Sequence, residues 1–342
     1  MQRTTMMLLM CLLFATACFG RVGDGRLEVH WVDVEGGAAT LLVTPAGESV
    51  LIDSGNPGER DAGRVVKMAR ALGVERVDHL VITHYHGDHY GGAVELAKHL
   101  PIGRMYDHGV APAEGKPLPP EFVKLREGRC TPLKPGDMLP LKQSEGMPAL
   151  RITCLAAAQK FIAPTAAHRA NPEACAEAIK HGPDASDNAN SIVLLIQFGR
   201  FDFFDGGDLT WNMETKLVCP VNLVGEVDVY QVTHHGLDIS NNPVVLKSLR
   251  PTVAVMNNGD RKGNGSITSE TLRNTSSLKA TYQVHETLWP NPHVNVARDF
   301  IANHTPKDEC EGHPIHMTVA ADGESYTITV PSTGHAATYQ SK

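Results

Sequence analysis

Apolar and polar residues alternate over Leu27-Glu28-Val29-His30-Trp31, the pattern of a strand with one buried face. Ala39–Thr44 and Val50–Asp53 follow, separated by the turn signal Pro45-Ala46-Gly47, and the three runs predict a β-meander. Val65, Met68, Ala69 and Leu72 then repeat at helical spacing, with Gly73 placed to end the helix. His79–Thr83 is a short, nearly all-apolar strand. Ala93, Leu96, Ala97 and Leu100 mark one face of a second helix that Pro101 ends. Over residues 101–186 the periodicity weakens and Pro and Gly are frequent. This stretch reads as a long insertion packed over the rim of a site, with short strands near Leu150–Cys154 and a helix near Pro172–Lys180. Regular strands return at Ser191–Ile196, Phe201–Phe204, Val227–Val232 and Val253–Met256. In the C-terminal extension, 300–342, Met317–Val319 and Tyr326–Val330 flank the turn Asp322-Gly323 as a β-hairpin. Strands grouped around helices predict two sheets with helices outside them, in a single domain over 21–342.

The N-terminus is set apart from this pattern. Arg3 precedes an apolar run, Met6–Ala15, too short to span a bilayer with ease, and Ala15-Thr16-Ala17 has the form of a cleavage site. Residues 1–20 therefore read as a secretory signal peptide, with an exported, periplasmic or extracellular product. Cys18 adds a second option, a lipid-modified lipoprotein held at a membrane. Export matters for the five cysteines of the body, Cys130, Cys154, Cys175, Cys219 and Cys310. None forms a C-x-x-C pair, and they allow either up to two disulfides or five buried thiols. A net charge of −7 in 342 residues argues against a stable nucleic-acid partner bound through a basic surface, though not against a nuclease whose metal ions supply positive charge.

The candidate chemistry lies where the strand ending at Thr83 runs into His84-Tyr85-His86-Gly87-Asp88-His89. His84 and His86 are two apart and point the same way on extended backbone, and Gly87 lets the chain turn to bring Asp88 and His89 alongside. Four ligands within six residues after a buried strand suit two adjacent ions. Imidazole and carboxylate donors favour zinc, with manganese or iron as alternatives.

Thr83–Gly92, T-H-Y-H-G-D-H-Y-G-G, resembles the main metal motif of the metallo-β-lactamase superfamily. Trp31–Gly37, Leu51-Ile52-Asp53-Ser54-Gly55, Asn188–Val193, Gly207-Asp208 and His234-His235-Gly236 with Ser240 resemble, in order, segments of its ComEC-like hydrolase branch. The resemblance implies a four-layer αββα sandwich with a site at the sheet ends. It implies that His84 and His86 hold one metal, that Asp88, His89 and His235 hold the other, and that Asp208 bridges them. His234 would orient a phosphate or donate a proton, because neighbours on an extended segment face opposite ways. Asp53 and Asn190 would orient the ligands from behind.

Two features depart from that pattern. The superfamily's usual third His for the first metal has no counterpart: His108, His168 and His181 lie in the right interval but not at the start of an apolar strand, and Asp187–Ser191 fills the place. Gly36-Gly37-Ala38 also lacks the Gln and Asp found in the branch. His285, His293, His304, His313, His316 and His335 show no ligand spacing. The reading is an exported hydrolase of two divalent ions, with Asp88, Asp208 and His234 closest to the chemistry. Hydroxide held between the metals would attack a small-molecule or polymeric substrate, by resemblance a phosphodiester. A lactam, lactone or thioester hydrolase, or a non-catalytic metal-binding sandwich, are the alternatives. No G-x-S-x-G nucleophile is present.

Overall fold

A computed structural model describes residues 23–288, 294–306 and 310–342. The leader expected over 1–20, Cys18 and His293 lie outside the described residues. The chain begins with an antiparallel meander, β1 (Leu27–Trp31), β2 (Thr40–Val43) and β3 (Ser49–Ile52), as the alternation predicts. Helix α1 (Glu59–Ala71) then crosses to β4 (Val77–Val81). The short α2 (Gly87–Tyr90) and α3 (Ala93–His99) lead to β5 (Ile102–Asp107), and α4 (Pro120–Arg126) to β6 (Cys130–Pro132). From β3 onward the neighbours are parallel. The second half contains β7 (Leu150–Ala157), β8 (Lys160–Phe161), β9 (Arg169–Ala170), α5 (Pro172–Cys175), β10 (Val193–Phe198) and β11 (Phe201–Asp205). It continues through α6 (Trp211–Val218), β12 (Val221–Asn222), β13 (Val229–Gln231), α7 (Pro243–Leu249), β14 (Val253–Met256), α8 (Ser266–Arg273), β15 (Ala280–His285) and β16 (Ile301–Asn303).

Two large sheets result, ordered β19-β18-β17-β1-β2-β3-β4-β5-β6 and β16-β15-β14-β13-β11-β10-β7-β8. The C-terminal hairpin is β17 (Ile315–Val319) and β18 (Ser325–Val330), with Val319 opposite Tyr326, and β19 (His335–Gln340) adds a further strand. Its β17 pairs with β1, so the last residues complete the first sheet.

The period of two in each strand sorts side chains between layers. Val29 and Trp31 of β1, Leu42 of β2, Val50 and Ile52 of β3, Leu194 and Ile196 of β10, and Val253 and Val255 of β14 fill the core between the sheets. Their neighbours face outward. Leu41 and Leu51 join Val65 and Ala69 of α1, Leu96 of α3 and Phe122 of α4. On the other side Leu195, Tyr230 and Ala254 join Leu217 of α6 and Leu246 of α7. Three cores separate four layers, an αββα sandwich. Among the described residues no helix is long and apolar enough to cross a membrane.

The stretch 101–186, expected as an insertion, supplies β5, β6 and β7 to the two sheets. Its pattern misleads because β5 carries Gly103 and the exposed Arg104 in mid-strand and β6 lies at an edge with two exposed residues. The helix expected over Pro172–Lys180 is a single turn, α5. It is tied to the residue after α6 by a disulfide, Cys175–Cys219, while Cys130, Cys154 and Cys310 are free thiols.

Candidate metal centre

The candidate residues sit in loops that follow the C-terminal ends of strands from both sheets. Asp53 follows β3, the H-x-H-x-D-H run follows β4, Asp208 follows β11, and His234-His235 follow β13. The glycines have identifiable duties. A side chain at Gly92 would run into the Ser54 carbonyl. Gly207, at φ 54°, lets the chain leave β11 sharply, and a Cβ there would stand 3.2 Å from both Ser191 and Thr83.

Asp208 is the focus. Its Oδ2 lies 3.1 Å from His89 Nε2, 3.3 Å from His235 Nε2, 3.4 Å from His234 Nε2 and 3.8 Å from His84 Nε2. Asp88 Oδ2 is 3.2 Å from His235 Nε2 and 3.4 Å from His89 Nε2, so Asp88, His89, Asp208 and His235 enclose one donor cluster. His84, His86 and Asp208 enclose the other, with His84 Nε2 3.0 Å from His86 Nδ1. Asp53 lies behind His89: its Oδ2 accepts from His89 Nδ1 at 2.7 Å and from the Thr83 hydroxyl, and its Oδ1 accepts from the Thr83 amide.

Electrostatics shows which ions this arrangement fits. Burial alone would strip His89 of a proton, yet Asp208, Asp53 and Asp88 around it raise its pKa well above the ordinary imidazole value. Burial works against ionising Asp208 too, but the surrounding imidazoles of His235, His89 and His234 hold its carboxyl well below the usual range. Three carboxylates packed on one buried imidazole call for positive charge, and the nitrogen and oxygen donors fit divalent ions. Asn188 Oδ1 adds an unpartnered, buried acceptor, and its amide nitrogen is 3.4 Å from His234 Nε2.

The structure corrects one premise. His234 and His235 are not extended: both occupy the left-handed region, at φ 56° and 54°, so both Nε2 atoms face Asp208. Ser240 Oγ contacts His234 Nδ1 at 3.0 Å. Burial lowers the His234 pKa to about 4, so it is neutral near neutral pH and is a poor general acid in this state.

Asn190 stands one step further back than expected. Its amide donates to Asp187 Oδ1, and Asp187 in turn accepts from the amides of Tyr85 and Ala113 and shares a 3.0 Å contact with His108 Nε2. His108 therefore braces the metal loop from behind. His168 bonds within an exposed turn at Thr165, and His181 packs on Trp211. Among the described residues no further imidazole joins the cluster of His84, His86 and Asp208, and Asn188 lies beside His234.

Sequence reasoning passed over Glu114, whose Oε1 is 2.8 Å from His86 Nε2; an acidic residue in a Pro-rich stretch carries no signal of that contact. The loop 258–264 brings Lys262 Nζ onto Asp88 Oδ2.

Residues 32–150 match the metallo-β-lactamase superfamily. Over 271 residues the chain is 26% identical to ComE operon protein 3 of Bacillus subtilis, covering 73% of this chain and 30% of that one. It is 27% identical to competence protein ComA of Neisseria gonorrhoeae over 226 residues, 66% of this chain and 26% of the other. Over 88 residues it is 39% identical to a UPF0173 metal-dependent hydrolase of Cupriavidus metallidurans, covering 25% of this chain and 28% of that protein. The chain thus spans less than a third of each of these relatives. The diiron β-hydroxylase CmlA of Streptomyces venezuelae superposes with a TM-score of 0.43 at 16% identity, over 75% of this chain and 52% of that one. The metal motif, the ordered segments around it and the matched stretch agree: over residues 32–150 this chain matches the metallo-β-lactamase superfamily, and competence-protein homologues cover most of its length.

Proposed function

We propose that the chain is an exported hydrolase that uses two divalent metal ions and acts on an anionic ester, a phosphodiester being the best-supported class. The observation that carries this is the convergence of four imidazole nitrogens on Asp208 Oδ2, with Asp88 closing the second cluster. His84 and His86 would hold the first ion beside Asn188 and His234, and Asp88, His89 and His235 the second, with Asp208 shared. Such ions, when bound, lower the pKa of water so that hydroxide is available near neutral pH.

The chain's own residues supply the rest. Asp53 fixes the His89 ring by holding its far nitrogen, and Thr83 fixes Asp53. Asp208 and Asp88 supply the negative charge that keeps two cations together. Lys262 is 38% exposed at the side chain, and it is the ammonium placed to meet an anionic substrate at the rim. The site hydroxyls are committed: Ser54 donates to the His89 carbonyl, Ser191 accepts from the Asp208 amide, and Ser240 contacts His234. Attack by water therefore fits better than a covalent serine intermediate.

Export is supported by the apolar N-terminal run and by the Cys175–Cys219 bridge, since disulfides persist mainly in oxidising compartments. The test is a reporter panel: bis-p-nitrophenyl phosphate, nitrocefin and a thioester, each with zinc and with manganese, against Asp208→Ala as control. Turnover of the phosphodiester, lost in the variant, is expected. Preferential opening of nitrocefin would move the assignment to lactams.

A further inference from the structure

A second convergence of metal-ligating side chains lies apart from the centre above. Asp33 and Glu35 come from the loop after β1, His285 is the last residue of β15, and Cys310 comes from the segment before β17. One donor atom of each lies within 4.8 Å of the others. The Asp33, Glu35 and His285 side chains are wholly buried.

Arg64 sorts the carboxylate oxygens. Its Nη1 lies 2.9 Å from Asp33 Oδ2 and 2.9 Å from Glu35 Oε1, and its Nη2 donates to the Cys310 carbonyl. The other two oxygens turn to His285. Asp33 Oδ1 is 2.7 Å from His285 Nε2, and Glu35 Oε2 is 3.4 Å from the same nitrogen with no hydrogen-bond donor of its own. Cys310 Sγ closes the group, 3.3 Å from Asp33 Oδ2 and 3.2 Å from Asn303 Oδ1. A buried carboxylate oxygen without a donor is costly, and here it points at an imidazole nitrogen beside a second carboxylate.

We propose that Asp33, Glu35, His285 and Cys310 form a third, structural metal site, selective for zinc. One sulfur, one nitrogen and two oxygens make a closed four-donor set of the kind zinc takes without an open position. Charge closes as well. Two carboxylates and a Cys310 thiolate carry three negative charges, and Arg64 with one divalent ion carries three positive, so a neutral His285 leaves the buried group uncharged. Binding releases the thiol proton to solvent. The site ties the C-terminal segment to the loop after β1. That loop packs on the Lys262 loop, where a Cβ on Gly36 would stand 2.9 Å from Gly259 N.

This inference does not rest on the hydrolase reading, and its test uses metal rather than turnover. The full chain, purified and loaded with zinc, should hold three equivalents, and Cys310→Ser and Glu35→Gln should each lose one while reporter hydrolysis is unchanged. Cobalt substitution gives a sharper reading. The Asp208 centre offers only nitrogen and oxygen donors, so a thiolate-to-cobalt charge-transfer band can arise only from a cysteine. The band should survive Asp208→Ala and vanish in Cys310→Ser. If Cys310→Ser does not fold, loss of one zinc from Glu35→Gln decides the question. Equal zinc content in wild type and both variants, or no band in the cobalt-loaded protein, would overturn the site and leave a metal-free ion-pair network around Arg64.

Discussion

Removing the Asp187 carboxylate should loosen the first half of the metal centre without touching a metal ligand. Asp187 is fully buried and takes hydrogen bonds from the amides of Tyr85 (2.7 Å) and Ala113 (3.0 Å), from the Asn190 amide (2.8 Å) and from His108 Nε2 (3.0 Å). Tyr85 lies between His84 and His86, so this one bond sets the backbone that carries both. In Asp187→Ala the His108 and Asn190 side chains can reorient, but two backbone N–H groups are stranded. Bonds to a charged acceptor are worth about 1.5–3 kcal/mol each, so a loss of roughly 3–5 kcal/mol follows. Asp187→Asn keeps the shape and part of the acceptor capacity and should lose about 2 kcal/mol. The pH dependence has a definite sign. Burial alone would raise this carboxyl's pKa, but the bonds from His108, Asn190 and the Tyr85 amide win and hold it well below the ordinary value. A depressed carboxyl contributes stability that is present above its unfolded value, about 3.9, and is lost as pH falls below it. Urea unfolding in chelator should therefore show a constant gap between wild type and Asp187→Asn from pH 8 to pH 5 and a narrowing gap below about pH 4. An unchanged midpoint in Asp187→Ala, or a gap that widens on acidification, would refute this account of the loop.

Asp208→Ala should lose at least one metal equivalent and nearly all turnover, whereas Asp53→Asn, which weakens only the hold on His89, should cost about 10–100-fold; metal analysis and rates on both variants under one metal supply check the order. Asn188→Ala should weaken the first ion and Asn188→His should tighten it, read as the free-metal concentration for half-loading, and equal values would remove Asn188 from the site. Glu214 is buried and raised to about 7 by that burial, against lowering bonds from the Asn242 and Asn241 amides. A raised carboxyl stabilises fully below its unfolded pKa and loses that contribution as pH climbs through about 7. The stability advantage of wild type over Glu214→Gln should thus shrink by roughly 2–3 kcal/mol between pH 5 and pH 8, measured by urea unfolding.

The metal run was legible because it is contiguous: one buried strand delivers His84, His86, Asp88 and His89 together. The first sheet's start was legible too, since β1 to β3 alternate cleanly and pair in sequence order. What sequence hid was whatever depends on non-local pairing or on unusual backbone. β5 was lost to Gly103 and Arg104, and β6 to its place at a sheet edge. The expectation that His234 and His235 face apart assumed extended backbone, and two successive left-handed residues reversed it. Asp33, Glu35, His285 and Cys310 span most of the chain, and nothing in their spacing announces that β1 and β15 end beside one another.

Because His84, His86 and His89 hang from the first sheet while Asp208 and His235 hang from the second, ion loading is also a matter of folding cooperativity. Anything that binds only the native arrangement stabilises it by mass action, about 2.7 kcal/mol at a hundredfold excess over its dissociation constant. Here that gain falls on the seam between the two sheets, in addition to the hydrophobic core and the polar contacts that join them. Stripped of metal, the molecule should open at this seam as a partial unfolding event, with amide exchange accelerating in the loops after β4, β11 and β13 while the strands stay protected. Metal supply would then set the lifetime of the protein as well as its activity, since transiently opened loops are where proteolysis begins.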